Sequence, residues 1–253
     1  MTSAIEINPD DITLAAGSHP DDGDEPPTCG KDTEACLFEW FNLLLGVQSM
    51  TDSCPPGVST VLHKFGIRLN DALPDDKRQL LKAFLPTPGS PSPLDGTADD
   101  GLDEKRRCMA IDWAVRTATP LWLDAAGRTE FAAELRAMAP IDSRDRRIKV
   151  RPRLREISNA CWEARRGWLD RVLEQARRAV AEAKANGEPA DAAAVAAAVA
   201  AAVAAAGQTW SEVYDRVYPA VKARIEATYR PVAERVQESA IDLFHAMVRP
   251  VAD

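Results

Sequence analysis

Between Trp210 and Met247 one kind of side chain keeps returning: Trp210, Val213, Val217, Val221, Ile225, Thr228, Val232, Val236, Ala240, Leu243 and Met247 stand three or four positions apart, a mean spacing of 3.7 over 37 positions. Only an α-helix brings a side chain back to one face at that interval. The spacing is nearer an eleven-residue repeat than a heptad, which predicts straight or faintly right-handed packing instead of a left-handed coiled coil. Pro219 and Pro231 fall inside this stretch, and each is expected to bend or divide the helix.

A second helical face precedes it. Leu154, Ile157, Cys161, Ala164, Trp168, Val172, Ala176, Ala179 and Ala183 keep nearly the same step. Asn186-Gly187 then supplies a stop and Pro189 a fresh start. The low-complexity segment 189–207 is a field of alanines with Val195, Val199 and Val203 four apart. Alanine forms helix readily and lets another helix approach closely, although it buries little on its own. Ala192 to Ala206 is wholly apolar but falls short of the roughly 20 residues needed to cross a bilayer.

The front of the chain reads differently. Residues 1–32 are acidic, with a Pro26-Pro27 pair and few large apolar groups, and their composition assigns them to a disordered acidic tail. Thr33 is expected to cap a helix beginning at Glu34 and stopping near Gly46, apolar nearly all round and so central in a core. A second helix carries Val58, Val61, Leu62, Phe65 and Leu69 on one side; a third begins after Pro74 with Leu80, Leu81, Phe84 and Leu85 facing inward. The Pro/Gly-rich loop at 86–101 cannot be regular. Helical text resumes at Leu102, runs to Thr119-Pro120, and continues in short pieces to Met138.

The expected fold is therefore all-α: an N-terminal helical domain over 33–140, then long antiparallel helices over 141–253 forming a bundle or arm. A net charge of −8 argues against generic attraction to nucleic acid or an anionic membrane. That charge is unevenly spread. Residues 1–140 hold 12 Lys/Arg against 23 Asp/Glu, whereas residues 141–253 hold 19 against 16. Five cysteines make no dense disulfide framework, and the N-terminus shows no signal-peptide pattern, so a reduced, cytoplasmic protein is expected.

No motif names a reaction. Gly-rich phosphate loops, the Gly-x-Ser-x-Gly elbow and His-Glu-x-x-His are missing from the text, so an enzyme is disfavoured and no cofactor is implied. Cys29, Cys36, Cys54 and His19 are too widely spaced for a structural zinc site, and no metal is expected. Asn70, Asp71, Asp75 and Asp76 offer oxygen ligands, but flank Leu73-Pro74, where helix ends account for them better.

Two sets remain. Asp112 and Arg116, four apart, can pair beside the flat surfaces of Trp113 and Trp122, either holding helices in register or walling a ligand pocket. Arg144, Arg146, Arg147, Lys149, Arg151, Arg153 and Arg155 place seven positive charges within twelve positions, suited to phosphates or to an acidic segment of the same chain.

Ala16-Gly17-Ser18-His19, Cys36-x-x-Glu39, Leu69 to Asp76 and Asp112-Trp113 through Trp122-Leu123 together resemble an uncharacterised family of actinobacterial and actinobacteriophage proteins with an Ala-rich helical C-terminal region. The resemblance covers roughly residues 14–140 and implies a source and an architecture, without an activity. The leading expectation is a non-enzymatic helical interaction or scaffold protein working through self-association (a homo-oligomer) or a protein partner. The alternatives are a nucleic-acid-binding accessory protein using residues 144–155, and an enzyme or small-ligand binder centred on Asp112, Trp113 and Arg116.

Overall fold

The computed structural model describes residues 12–17, 34–47, 49–163 and 211–250, with side chains throughout except at 211–228. The described chain is mostly helical, with one two-stranded parallel sheet. The Ala-rich segment, the expected face from Ala164 to Ala183, the Asn186-Gly187 stop, Cys29 and His19 lie outside the described residues. Among the described residues no helix is long and apolar enough to cross a membrane.

Part of the span assigned to an acidic tail is built into the core. Strand β1 (Thr13–Leu14) pairs with β2 (Glu34–Ala35), Thr13 opposite Glu34 and Leu14 opposite Ala35. Ile12 and Leu14 are both buried, as the alternation of a strand requires. Side chains complete what so short a ladder cannot. The Gln79 amide donates to Leu14 O at 2.9 Å and accepts from Leu14 N at 3.0 Å, standing in for a further strand. Trp40 Nε1 donates to Thr13 O, and Asn70 Nδ2 to Ala15 O at 2.7 Å.

Helix α1 (Leu37–Leu44) starts later than expected, with Cys36 rather than Thr33 at the cap, because residues 34–35 are taken by β2. The Cys36 N–H donates to Glu39 Oε2 at 2.6 Å, the return half of a capping box. The helix is buried from Leu37 to Leu43, as its all-round apolar text implies. Asn42, also buried, donates to Thr51 O and Ser53 O and so fixes the following turn.

Helix α2 (Thr60–Ala72) is capped by Ser59, whose Oγ accepts from Val61 N and Leu62 N. Helix α3 (Asp75–Arg78) runs directly into a 3₁₀ turn, Gln79–Phe84. That change of period corrects the inward set. Three residues per turn keeps Leu81 and Phe84 on the core side and turns Leu80 outward, where it is 56% exposed. The loop at 86–101 is irregular but pinned: Leu94 is buried, and the buried Ser92 Oγ donates to Phe84 O at 2.6 Å.

Helix α4 (Asp103–Trp113) passes through a π-helical turn (Ala114–Ala118) into α5 (Thr119–Ala125). Proline at 120 cannot donate to the residue one turn back and crowds that carbonyl; the wider π turn ahead of it lets the helical path continue where the text suggested a stop. Helix α6 (Thr129–Ala137) and helix α7, described over 144–163, follow.

Helix α8 (Ser211–Val248) runs through both Pro219 and Pro231 without a break. Its end corrects the expected boundary at residue 140. The chain packs as two units, the first drawn from Met1–Asp124, Arg128–Arg147 and Glu234–Asp253, the second from Ala125–Gly127 and Ile148–Ala233. The last turns of α8 thus belong to the N-terminal unit. Ala240, Ile241, Phe244, Met247 and Val248 join the core of α1 and α2. Phe244 stacks on Phe65 with centroids 5.9 Å apart and meets Phe84 at 4.5 Å. Burying one such ring stabilises the fold by roughly 1.5–3 kcal/mol. In the second unit, Ile157 is buried while Ile148 and Trp162 are exposed.

Two buried arginines close helix ends. Arg78 donates from Nε to Asn70 O at 2.8 Å and from Nη2 to Leu73 O, covering the terminal carbonyls of α2, and pairs with Asp75. Arg106, wholly buried, does the same for α8: Nε donates to Met247 O at 2.9 Å and Nη2 to Val248 O at 3.2 Å. Its remaining donors meet Thr97 O and both oxygens of Asp100. A buried guanidinium is tolerable only when its donors are met in this way, and its charge suits the negative end of a helix.

Candidate functional site

The Asp112 set is brought together only in part. Asp112 and Arg116 do pair, at 3.2 Å, one turn apart on the α4 to π segment. The carboxylate is also spent on structure, since Oδ1 accepts from Ile141 N at 2.8 Å and anchors the chain entering α7. Trp113 turns toward the core, meeting Phe65 edge-on at 6.0 Å and donating from Nε1 to Ser239 Oγ at 3.0 Å. Trp122 is 40% exposed on α5. Of the four, Arg116 lines the groove described next.

That cavity is an open groove of about 430 Å³ in the first unit, lined by Arg116, Thr117, Leu121, Arg136, Arg235, Glu238, Ser239 and Asp242. The wall from α8 follows from helical spacing: 235, 238, 239 and 242 recur at steps of three and four and share one face. The opposite wall comes from the π turn, α5 and α6. Two of the groove's charges are already engaged, Arg136 with Asp124 at 2.5 Å and Glu238 with Lys77 at 3.0 Å. Ser239 accepts from Trp113 and donates to Val236 O.

The other groups are unspent. Arg235 and Asp242 are exposed and carry no hydrogen bond or ion pair among the described residues. Arg116 commits Nη1 to Asp112, while its buried Nε has no hydrogen-bond partner among the described residues. A buried polar donor left without an acceptor costs on the order of 1–3 kcal/mol. Arg235 and Asp242 are the residues that sequence reading missed. Their spacing is visible in the text, but it lies beside the apolar stripe of α8, and charges on such a face give no signal until another wall stands opposite them.

The basic segment divides between the units. In the first, Arg144 is exposed, Arg146 is half-buried, and Arg147 pairs with Glu104 at 3.1 Å. In the second, Lys149, Arg151, Arg153 and Arg155 are exposed on α7, with Arg153 donating to Glu156 at 2.8 Å.

The carboxylates around Leu73-Pro74 serve the fold. Asp71 Oδ1 accepts from Gly17 N at 2.9 Å, and Asp75 opens α3 while pairing with Arg78. Among the described residues no group of three or more His, Cys, Asp or Glu side chains is placed to hold a metal ion. Burial pushes the Cys36 thiol up to about 12, and burial likewise raises Cys54 and Cys108. The hydrogen bond from Arg106 holds the Asp100 carboxyl below its ordinary value. His63 packs edge-on against Phe38 at 4.5 Å, with Nε2 2.7 Å from Asp52 O.

No protein-family model, curated protein or solved structure matches the chain.

Proposed function

We propose that the protein is a non-enzymatic, cytoplasmic interaction or scaffold protein that works through self-association or a protein partner, with the groove between α8 and the α5–α6 wall as a contact surface. The observation carrying this reading is a groove that is open and rimmed by unspent charges of both signs, Arg235 and Asp242. Small-molecule sites are enclosed and mostly apolar, with a few converging polar groups; polar, accessible rims belong to protein interfaces. Asp112 and Trp113, which a ligand pocket would need, are committed to Ile141 and Ser239. Membership of the actinobacterial and phage family is part of the proposal and supplies no activity.

Light scattering over a range of concentrations, read against the 27.5 kDa of one chain, tests self-association. Cross-linking of the intact protein in a cell extract, with the linked residues mapped, tests a partner. The reading fails if the mass stays at one chain and no cross-link maps to the groove.

The exposed row Lys149, Arg151, Arg153 and Arg155 on α7 favours a second reading, an accessory protein that binds nucleic acid. Binding of a labelled duplex or single strand should then fall steeply with salt and be lost on replacing Arg151 and Arg155. Absence of binding at low ionic strength removes it.

A further inference from the structure

We infer that the groove recognises a protein segment of mixed charge, taking a carboxylate of that segment between Arg116 and Arg235 and a basic side chain of it at Asp242. The inference rests on the interaction reading above and specifies what the partner presents.

Each of the two arginines has donors left to give. Arg116 is held from one side by Asp112 through Nη1. The unused edge of its guanidinium is the Nε–Nη2 edge, the geometry that takes a carboxylate in two parallel hydrogen bonds. Nε on that edge is buried and unmet among the described residues, so a carboxylate meets it once the Arg116 side chain turns toward the groove. An acceptor there would gain a charge-assisted bond and remove the cost of an unsatisfied donor. Arg235, on the facing wall, has its whole fork unspent among the described residues. Arg136 adds positive charge but is tied to Asp124, so the two free forks define the anionic subsite.

Asp242 settles which kind of anion fits. It lies seven residues beyond Arg235 on the same face of α8, about two helical turns or roughly 10 Å along the axis. Glu238 lies between them, already neutralised by Lys77. A polyphosphate or nucleic-acid backbone laid along this wall would set its repeated negative charges against Glu238 and Asp242, and like-charge juxtaposition is costly in an interface. A peptide with an acidic side chain and, about 10 Å away, a basic one meets both ends. The hydroxyl of exposed Thr117 and the side chain of Leu121 line the remaining wall, suited to the polar and aliphatic parts of such a segment.

The test uses the full chain and a displayed library of random peptides. The wild-type protein should enrich peptides bearing Asp or Glu at one position and Lys or Arg at another. Arg235→Glu should weaken those peptides by on the order of tenfold or more and, selected afresh, enrich a basic residue in place of the acidic one. Asp242→Lys should invert the preference at the other position. Arg249→Glu, which changes an exposed arginine outside the groove, should change neither. Because Arg235 and Asp242 are exposed and unbonded among the described residues, both variants should keep the wild-type circular dichroism and melting curve. Enrichment without a charge pattern, a pattern indifferent to both groove variants, or no enrichment overturns the inference. So does labelled oligonucleotide binding that is lost in Arg235→Glu. Peptides that depend on the groove but lack the charge pattern would sink this inference while leaving the interaction reading intact; a strictly single-chain mass with no groove cross-links sinks the interaction reading itself.

Discussion

Replacing Gly66 with alanine probes the packing of α1, α2 and α8 at a point with no room for a methyl group. In an open helix interior the change gains about 1 kcal/mol, because glycine is the poorer helix former. At this position a methyl group would sit 2.8 Å from Cε2 of Phe38 and 3.1 Å from Cζ of Phe244, well inside the ~3.5 Å at which carbon atoms attract. Neither ring has room to retreat, since both are fully buried. Overpacking of this kind costs about 1–3 kcal/mol, so the balance is a loss of up to about 2 kcal/mol, with the sign opposite to the usual one. Urea unfolding followed by tryptophan fluorescence should show a midpoint lower by roughly 0.5 M. The cause is isolated by a double-mutant cycle. With Phe38→Leu the near ring edge is gone, and Gly66→Ala should become neutral or stabilising, a coupling of about 1 kcal/mol. A higher midpoint for Gly66→Ala alone, or the same shift in both backgrounds, would mean that the two rings leave room for the methyl group.

Arg106→Met should lower stability by about 3–5 kcal/mol, the usual loss when one member of a buried charged network is removed, whereas Arg107→Met on the half-exposed side of α4 should stay within about 0.5 kcal/mol; chemical unfolding compares them. Asp100 has a folded pKa below its unfolded value, so its contribution is fully present above the unfolded value, near pH 4, and is lost as pH falls through the folded one. Asp100→Asn should therefore flatten the acid limb of a stability-against-pH curve and leave its shape near neutrality unchanged. At pH 8 Cys36 should resist alkylation in the native protein and react readily in denaturant, as read by mass spectrometry of the labelled peptide; fast native labelling at Cys36 would contradict its burial.

Legibility in the sequence followed the range of the interactions. Helices α2 to α6 and the irregular loop at 86–101 stood in the text because caps, breakers and apolar spacing act over a few residues. Leu80 was misplaced by assuming a 3.6 period where the chain tightens to 3₁₀. Ile12 and Leu14 were lost in the average of an acidic segment, since a two-residue strand held by Gln79, Trp40 and Asn70 leaves no compositional trace. Arg78 and Arg106 carry no signal in the text, because their burial depends on carbonyls that the fold delivers, for Arg106 from 141 positions away. At the groove, the Asp112–Arg116 spacing was readable, but what Asp112 bonds across the fold was not, and Arg235 and Asp242 gained meaning only when α8 met α5 and α6.

The docking of Phe244 and Met247 against α1 and α2 sets a timetable for the newborn chain. As the ribosome emits residues in order, at about 5–20 per second, α1 and α2 appear early and must wait for a rod nearly two hundred residues downstream before Phe38, Phe65 and Phe84 gain their cover. During those seconds the half-made core is a greasy surface, and a nascent chain interrupted before Phe244 has no means of sealing it.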